Sequence, residues 1–276
     1  VFLTLGLALV GFHFARLFWG RPSATLAFVM LLFEPNVLAN GRLITTDLGG
    51  TLFMTLALLL VWRMWTAPGW HWRRWLAAGA GLGLAFGSKL SMLAFVPILI
   101  LMSFLPIFRK GTQSSTEKAR RGTEVGRRFL QLVSAGVFSV FVVWAIFGFE
   151  WGAFRFPSEV LAGLNQFSGP MPTFWAGLDQ IVNVSRGGRA AFLLGETSLE
   201  GFWLFFPVAF LVKTPLVLLF GLVGLVWWGW QRPSIRPKLL FLLVSAILYF
   251  GVSVISDINI GYRHLLPIVP LIIVAV

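Results

Sequence analysis

The feature that most constrains this chain is a succession of long apolar runs separated by short polar stretches. Runs recur at 1–19, 22–40, 48–66, 129–149, 202–230 and 239–256, with shorter ones at 75–89, 91–108 and 265–276. A helix needs roughly 17–25 apolar residues to cross about 30 Å of hydrocarbon, so the pattern predicts an all-α polytopic bundle of about eight to nine spans. The composition agrees: 58% of residues are hydrophobic and only 12% charged, too apolar for a soluble domain of this size. The run at 202–230 holds Lys213 and Pro215. A Lys there is costly unless it reaches an interface or cavity, so a break is expected at Pro215, with 202–213 lying at the interface and 214–230 spanning.

Charge follows the same punctuation. Taking the spans alternately, the connections 16–21, 63–74, 109–128 and 232–238 hold 15 of the 22 Lys and Arg, against the two acids Glu117 and Glu124. The other connections hold seven bases and eight acids: Glu34, Asp47, Glu150, Glu159, Asp179, Glu196, Glu200 and Asp257. By the positive-inside rule the first set is cytoplasmic, and the net charge of +12 is topological. Nucleic acid is therefore not an expected partner. Helix parity also puts Asp47, Lys89, the segment 150–201 and "DINIGYRH" on one outer face. A one-sided cluster suggests a site at the outer interface, whereas charges along the midplane would suggest a transport path.

Several features have sufficient structural explanations. Gly79, Gly83 and Gly87 are four apart and share a helix face that another backbone can approach closely. Residues 109–128 read as a flexible basic loop. Trp70, Trp72 and Trp75 fit an interfacial belt, and His13 and His71 read as structural. With no cysteine, disulfides, thiolate metal sites and Cys nucleophiles are excluded within the chain. No phosphate loop, dinucleotide fingerprint or zinc spacing is present. A divalent cation is compatible with the acids but not required by them.

Four places carry candidate chemistry. Asp47, after Thr45 and Thr46, is placed to cap the helix that follows, and its carboxylate can also orient a base or accept a proton. Lys89, in "GLAFGSKLSML", is a point charge suited to phosphate on a side where bases are disfavoured. "GYRH" at 261–264 joins Arg263, able to hold phosphate by two parallel hydrogen bonds, to the proton-shuttling His264. Asp257 could pair with Arg263. The stretch "FLLGETSLEGFWLFFPVAFLVKTPL", 192–216, contributes Glu196 and Lys213.

The ordered blocks "PNVLANGRLITTDLGGTLF", "GLGLAFGSKLSMLAF", "FLLGETSLEGFWLFFPVAFLVKTPL" and "INIGYRHLLPIVP" resemble the protein O-mannosyltransferase family, glycosyltransferase family 39, within the membrane-embedded GT-C superfamily. The resemblance covers nearly the whole chain and implies a multi-pass enzyme of the cell (inner) membrane, its site facing the periplasm or exterior. Such an enzyme would take a sugar, mannose-like, from a polyprenyl-phosphate carrier in the bilayer and transfer it to a hydroxyl of a protein, lipid or glycan. It implies catalytic roles for Asp47, Glu196 and His264, lipid-phosphate contacts for Lys89, Arg263 and Lys213, and a cover for donor and acceptor in 150–201. The chain departs from the family pattern at its start. It opens at Val1 inside an apolar run and stops at Val276 without a flank. It therefore reads as an internal fragment of one transmembrane domain, lacking the family's first outer loop with its acidic pair and expected to be inactive alone. Two other classes remain open: a transporter or flippase of lipid-linked sugars, and a non-catalytic membrane subunit.

Overall fold

The computed structural model describes residues 1–43, 45–105, 115–187, 190–199, 201–256, 259 and 261–276. Asp257, Glu200, Arg189 and the first part of the basic stretch 109–128 lie outside them. The architecture is a helical bundle, and its helices follow the apolar runs. α1 (Phe2–Trp19) and α2 (Arg21–Phe33) form a hairpin across Gly20, whose φ of 99° is a conformation glycine adopts without strain. Next come α3 (Pro35–Gly41), α4 (Thr46–Trp65) and α5 (Trp72–Ser88). A 3-10 turn, Leu90–Ala94, leads into α6 (Phe95–Phe104), and α7 covers Ser115–Ile146.

Among the described residues four helices are individually long and apolar enough to cross a membrane, or six when two bent pairs each count as one span. The remaining crossings expected from sequence correspond to shorter apolar helices such as Leu90–Phe104 and Tyr262–Ala275. α4 is the interior helix, 78% buried over its apolar window against 28% for that of α7. It packs against α1, α5, α3 and α7.

Both bends have a proline cause. The residue before a proline is driven out of the α region. Glu34 precedes Pro35 with ψ of 120°, and α2 and α3 meet at 54°. Thr214 precedes Pro215 with ψ of 130°; there α9 (Phe205–Lys213) and α10 (Leu216–Gln231) meet at 105°. The break expected beside Lys213 is therefore present. α9 runs nearly perpendicular to the following helix, the attitude of a segment lying in an interface.

The glycine stripe is also where its spacing placed it. A Cβ on Gly79 would lie 2.5 Å from the Ala135 carbonyl oxygen, and one on Gly83 would lie 2.6 Å from Val142 Cβ. One on Gly87 would lie 2.7 Å from Ile146 Cδ1. The stripe thus seats α5 on α7, while Gly81 on another face meets Ala57 of α4.

One sequence expectation is corrected. Within 109–128, residues from Ser115 onward belong to the same helix as the span that follows and are not loop. Arg127 anchors the helix by donating to the Ala67 and Gly69 carbonyls at 2.8 and 3.0 Å, and Trp65 Nε1 donates to the Arg128 carbonyl at 3.2 Å. These tertiary bonds hold a polar helical turn that local composition reads as loop.

The described part of 150–201 is folded. β1 (Trp151–Ala153) pairs antiparallel with β2 (Ser168–Pro170), and α8 (Pro172–Gly187) follows. A hairpin of β3 (Ala191–Leu193) and β4 (Glu196–Ser198) then leads to α9. α11 (Arg236–Ile255), a 3-10 segment Tyr262–Ile268 and α12 (Val269–Ala275) complete the chain.

Candidate functional site

Three of the expected polar features converge at one end of the bundle. Asp47 lies in the first turn of α4, and Lys89 is the residue at which α5 stops. The Lys89 ammonium donates to Asp47 Oδ1 at 2.5 Å, and the two side chains retain only 11% and 9% of their exposure. Removing two charges from water is expensive, and close pairing offsets part of that cost. The Asp47 carboxylate also lies at the positive end of the α4 dipole.

The expectation that Asp47 caps α4 is corrected. Thr45 holds the cap position, no side chain there makes a capping bond, and the Asp47 carboxylate is turned to Lys89. A buried ammonium adds the attraction of a full opposite charge, which a neutral backbone N–H dipole does not offer the carboxylate. Among the described residues the buried Thr45 hydroxyl has no hydrogen-bond partner.

Gly50 makes the pair sterically feasible. A Cβ there would lie 2.9 Å from Lys89 Cβ and 3.4 Å from both Lys89 Cδ and Met92 Cγ. The lysine stem therefore crosses α4 over a bare backbone, one turn beyond the carboxylate it reaches. The double glycine in "TTDLGG" was the visible sign of this; the helix it makes room for was not visible.

The 3-10 segment after α11 completes the cluster. The half-buried His264 ring is within electrostatic reach of Lys89, Asp47 and Arg263, and its ring centroid is 6.2 Å from that of Phe206 on α9. The Tyr249 phenol of α11 faces Ser91 and senses the Asp47 charge, while its ring stacks on Phe95 at 4.6 Å. α8 touches the cluster's edge, since a Cβ on Gly177 would lie 3.2 Å from Leu90.

A second polar group, not singled out from sequence, lies on the other side of the same 3-10 segment. Glu34 is 3% exposed and caps α3, accepting from Val37 N at 2.5 Å and from Asn36 Nδ2 at 2.8 Å. Asn36 Nδ2 also donates to the Lys213 carbonyl at 2.9 Å, and the Tyr262 and Thr214 hydroxyls are 2.9 Å apart. An acid directly before a proline after twelve largely apolar residues was the available signal. The 3-10 segment that carries "GYRH" packs on both α3, which Glu34 caps, and α4, whose first turn holds Asp47.

Two expected site residues lie apart from this cluster. Glu196 is exposed on β4, next to the Leu194–Gly195 turn of its hairpin, and its side chain has no hydrogen bond or ion pair among the described residues. Lys213 ends α9 with its side chain exposed, and only its carbonyl contacts the Glu34 group. The acids Glu150 and Asp179 serve the fold of 150–201. Glu150 accepts from the Thr173 hydroxyl at 2.7 Å, and Asp179 from the Ser158 amide at 2.8 Å.

Comparison with known proteins places this geometry in context. The family model described as dolichyl-phosphate-mannose-protein mannosyltransferase matches residues 2–147, more than half of the chain, including Asp47, Gly50 and Lys89. No curated protein sequence matches. A crystal structure of ArnT from Cupriavidus metallidurans, bound to undecaprenyl phosphate, superposes with a TM-score of 0.65 at 18% identity. The superposition covers 99% of this chain and 44% of that one, so the chain spans less than half of that protein's length and shares its fold. By its sequence the chain belongs to the dolichyl-phosphate-mannose-protein mannosyltransferase family.

Proposed function

We propose that the chain is the core of a membrane glycosyltransferase that moves a sugar from a polyprenyl-phosphate carrier to a hydroxyl acceptor at the outer face of the cell membrane. The observation that carries this reading is the buried Asp47–Lys89 pair, at the end of the bundle where the 3-10 segment bearing Arg263 and His264 packs on α4. Family membership supports the reaction class. The fold shared with a protein crystallised with undecaprenyl phosphate supports the carrier.

The proposed reaction is a displacement at the anomeric carbon. The acceptor oxygen bonds to that carbon as its proton leaves to a base, and the bond to the carrier phosphate breaks with its electron pair going to the phosphate. Negative charge grows on the phosphate, so fixed cations in a water-poor site stabilise the transition state more than the ground state. Lys89, held by Asp47, and Arg263 supply those cations. His264 offers a hydrogen bond on the same side. Asp47 positions the ammonium, while Gly50 leaves room for its stem.

Transfer from a polyprenyl-phosphate-linked sugar, measured in membranes containing the protein, tests the reading. Lys89→Met is expected to lower turnover by at least about 100-fold, the scale seen when one preorganised donor to a developing oxyanion is removed. Undiminished turnover in that variant would remove Lys89 from the site.

A further inference from the structure

A groove of about 470 Å³ opens between α1 and α4. It lies at the end of α4 opposite Asp47, near Arg63, about 24 Å from the carboxylate at the helical rise. The glycosyltransferase reading does not use it. Its lining is graded along the helices. Val10 on α1 with Leu56 and Leu60 on α4 make the deeper part apolar, and Arg16 and Arg63 make the end basic. His13, one turn inward from Arg16, lies between these parts. α1 and α4 run in the same direction, so their arginines come level at one rim.

His13, Arg16 and Arg63 are all exposed, and neither guanidinium has a hydrogen bond or ion pair among the described residues. Placement of positive charge by topology explains why arginines occur at this end of each helix. It does not explain why two unpaired ones converge on a cavity whose other half is hydrocarbon-lined. An inorganic anion would leave the apolar half unfilled, and a neutral lipid would leave both guanidinium groups uncompensated. An amphiphile with an anionic head and an apolar tail satisfies both halves.

We propose that this groove binds an anionic phospholipid of the leaflet at the basic end of the bundle. Its phosphate sits between Arg16 and Arg63, and an acyl chain runs along Val10, Leu56 and Leu60. Each guanidinium can hold phosphate oxygens through paired N–H donors. His13 lies at the level of the ester groups.

Lipid affinity of the purified protein in non-ionic detergent tests the proposal, read as the thermal shift on titration with phosphatidylglycerol, phosphatidylcholine or inorganic phosphate. Phosphatidylglycerol is expected to bind in a salt-sensitive manner. Arg16→Gln with Arg63→Gln should weaken it about thirty-fold, or about five-fold per arginine. Arg16→Lys with Arg63→Lys keeps the charge and loses the paired donors, so its affinity should fall between the wild type and the glutamine pair. Leu56→Trp keeps both charges and fills the apolar half, so it should weaken phosphatidylglycerol as well; it also supplies the answer if the glutamine pair misfolds. Equal binding of phosphatidylcholine would overturn the proposal, as would full competition by inorganic phosphate. Unchanged affinity in both the glutamine pair and Leu56→Trp would overturn it too. Sugar transfer plays no part in the readout, so the two proposals stand or fall separately.

Discussion

Asp47 and Lys89 are each a liability without the other, because a buried charge that loses its partner keeps its desolvation cost. Asp47→Leu alone should destabilise the protein by about 3–5 kcal/mol, whereas Asp47→Leu combined with Lys89→Met should cost distinctly less. Denaturant titration in detergent of the two single variants and the double one measures that coupling; additive losses would mean that the pair is not buried as described. Gly50→Val acts on the same contact from the backbone side. Its side chain would overlap the Lys89 stem, so a loss of about 1–3 kcal/mol is expected, with loss of sugar transfer. At this scale the sequence exposed the residue types and left the partners hidden. Asp47 stood out as the acid at a helix start, but its commitment to a lysine 42 residues away depends on how α4 and α5 pack. Glu34 passed as one acid among eight because an acid before a proline marks a helix break, while its burial depends on the elements packed around it. Glu196 looked equivalent to Asp47 in sequence, and a two-residue hairpin turn carries it to the surface instead.

Helices assemble here through backbone contact as much as through side-chain volume. Gly83→Ala would put a methyl 2.6 Å from Val142 Cβ and 2.8 Å from the Ser139 carbonyl oxygen, forcing α5 off α7. Gly224→Ala on α10 meets nothing within 4 Å. The first is expected to lower the thermal midpoint and the second to leave it unchanged or slightly raised, since alanine favours helix over glycine by up to about 1 kcal/mol. Equal effects would contradict the α5–α7 interface. The stripe was legible because a spacing of four residues is a property of one helix, although its partner α7 was not. The break at Pro215 was legible for a similar reason, since proline and a lysine deep in apolar sequence both act locally. The helical start of α7 was not legible: its anchor is a set of carbonyls at 67 and 69 on another hairpin.

For the molecule as a whole, alternation of spans and sidedness of charge together imply which polar groups can meet. The structure brings Asp47, Lys89, Arg263 and His264 to one end. At the other end, Lys238 Nζ donates to the Phe18 carbonyl at 2.6 Å, tying the start of α11 to the end of α1. Because the chain has no cysteine, Glu196→Cys and Ser234→Cys can report on the two ends directly. A membrane-impermeant thiol reagent applied to intact cells is expected to label the first and not the second; labelling of both or neither would contradict the topology. The central claim is that the buried ammonium at the Asp47 end receives the carrier's phosphate, and polyprenyl phosphate binding tests it most directly. Comparing the wild type with Lys89→Met should show at least a ten-fold loss of affinity, about 1.4 kcal/mol. Equal affinity in the wild type and Lys89→Met would contradict the account.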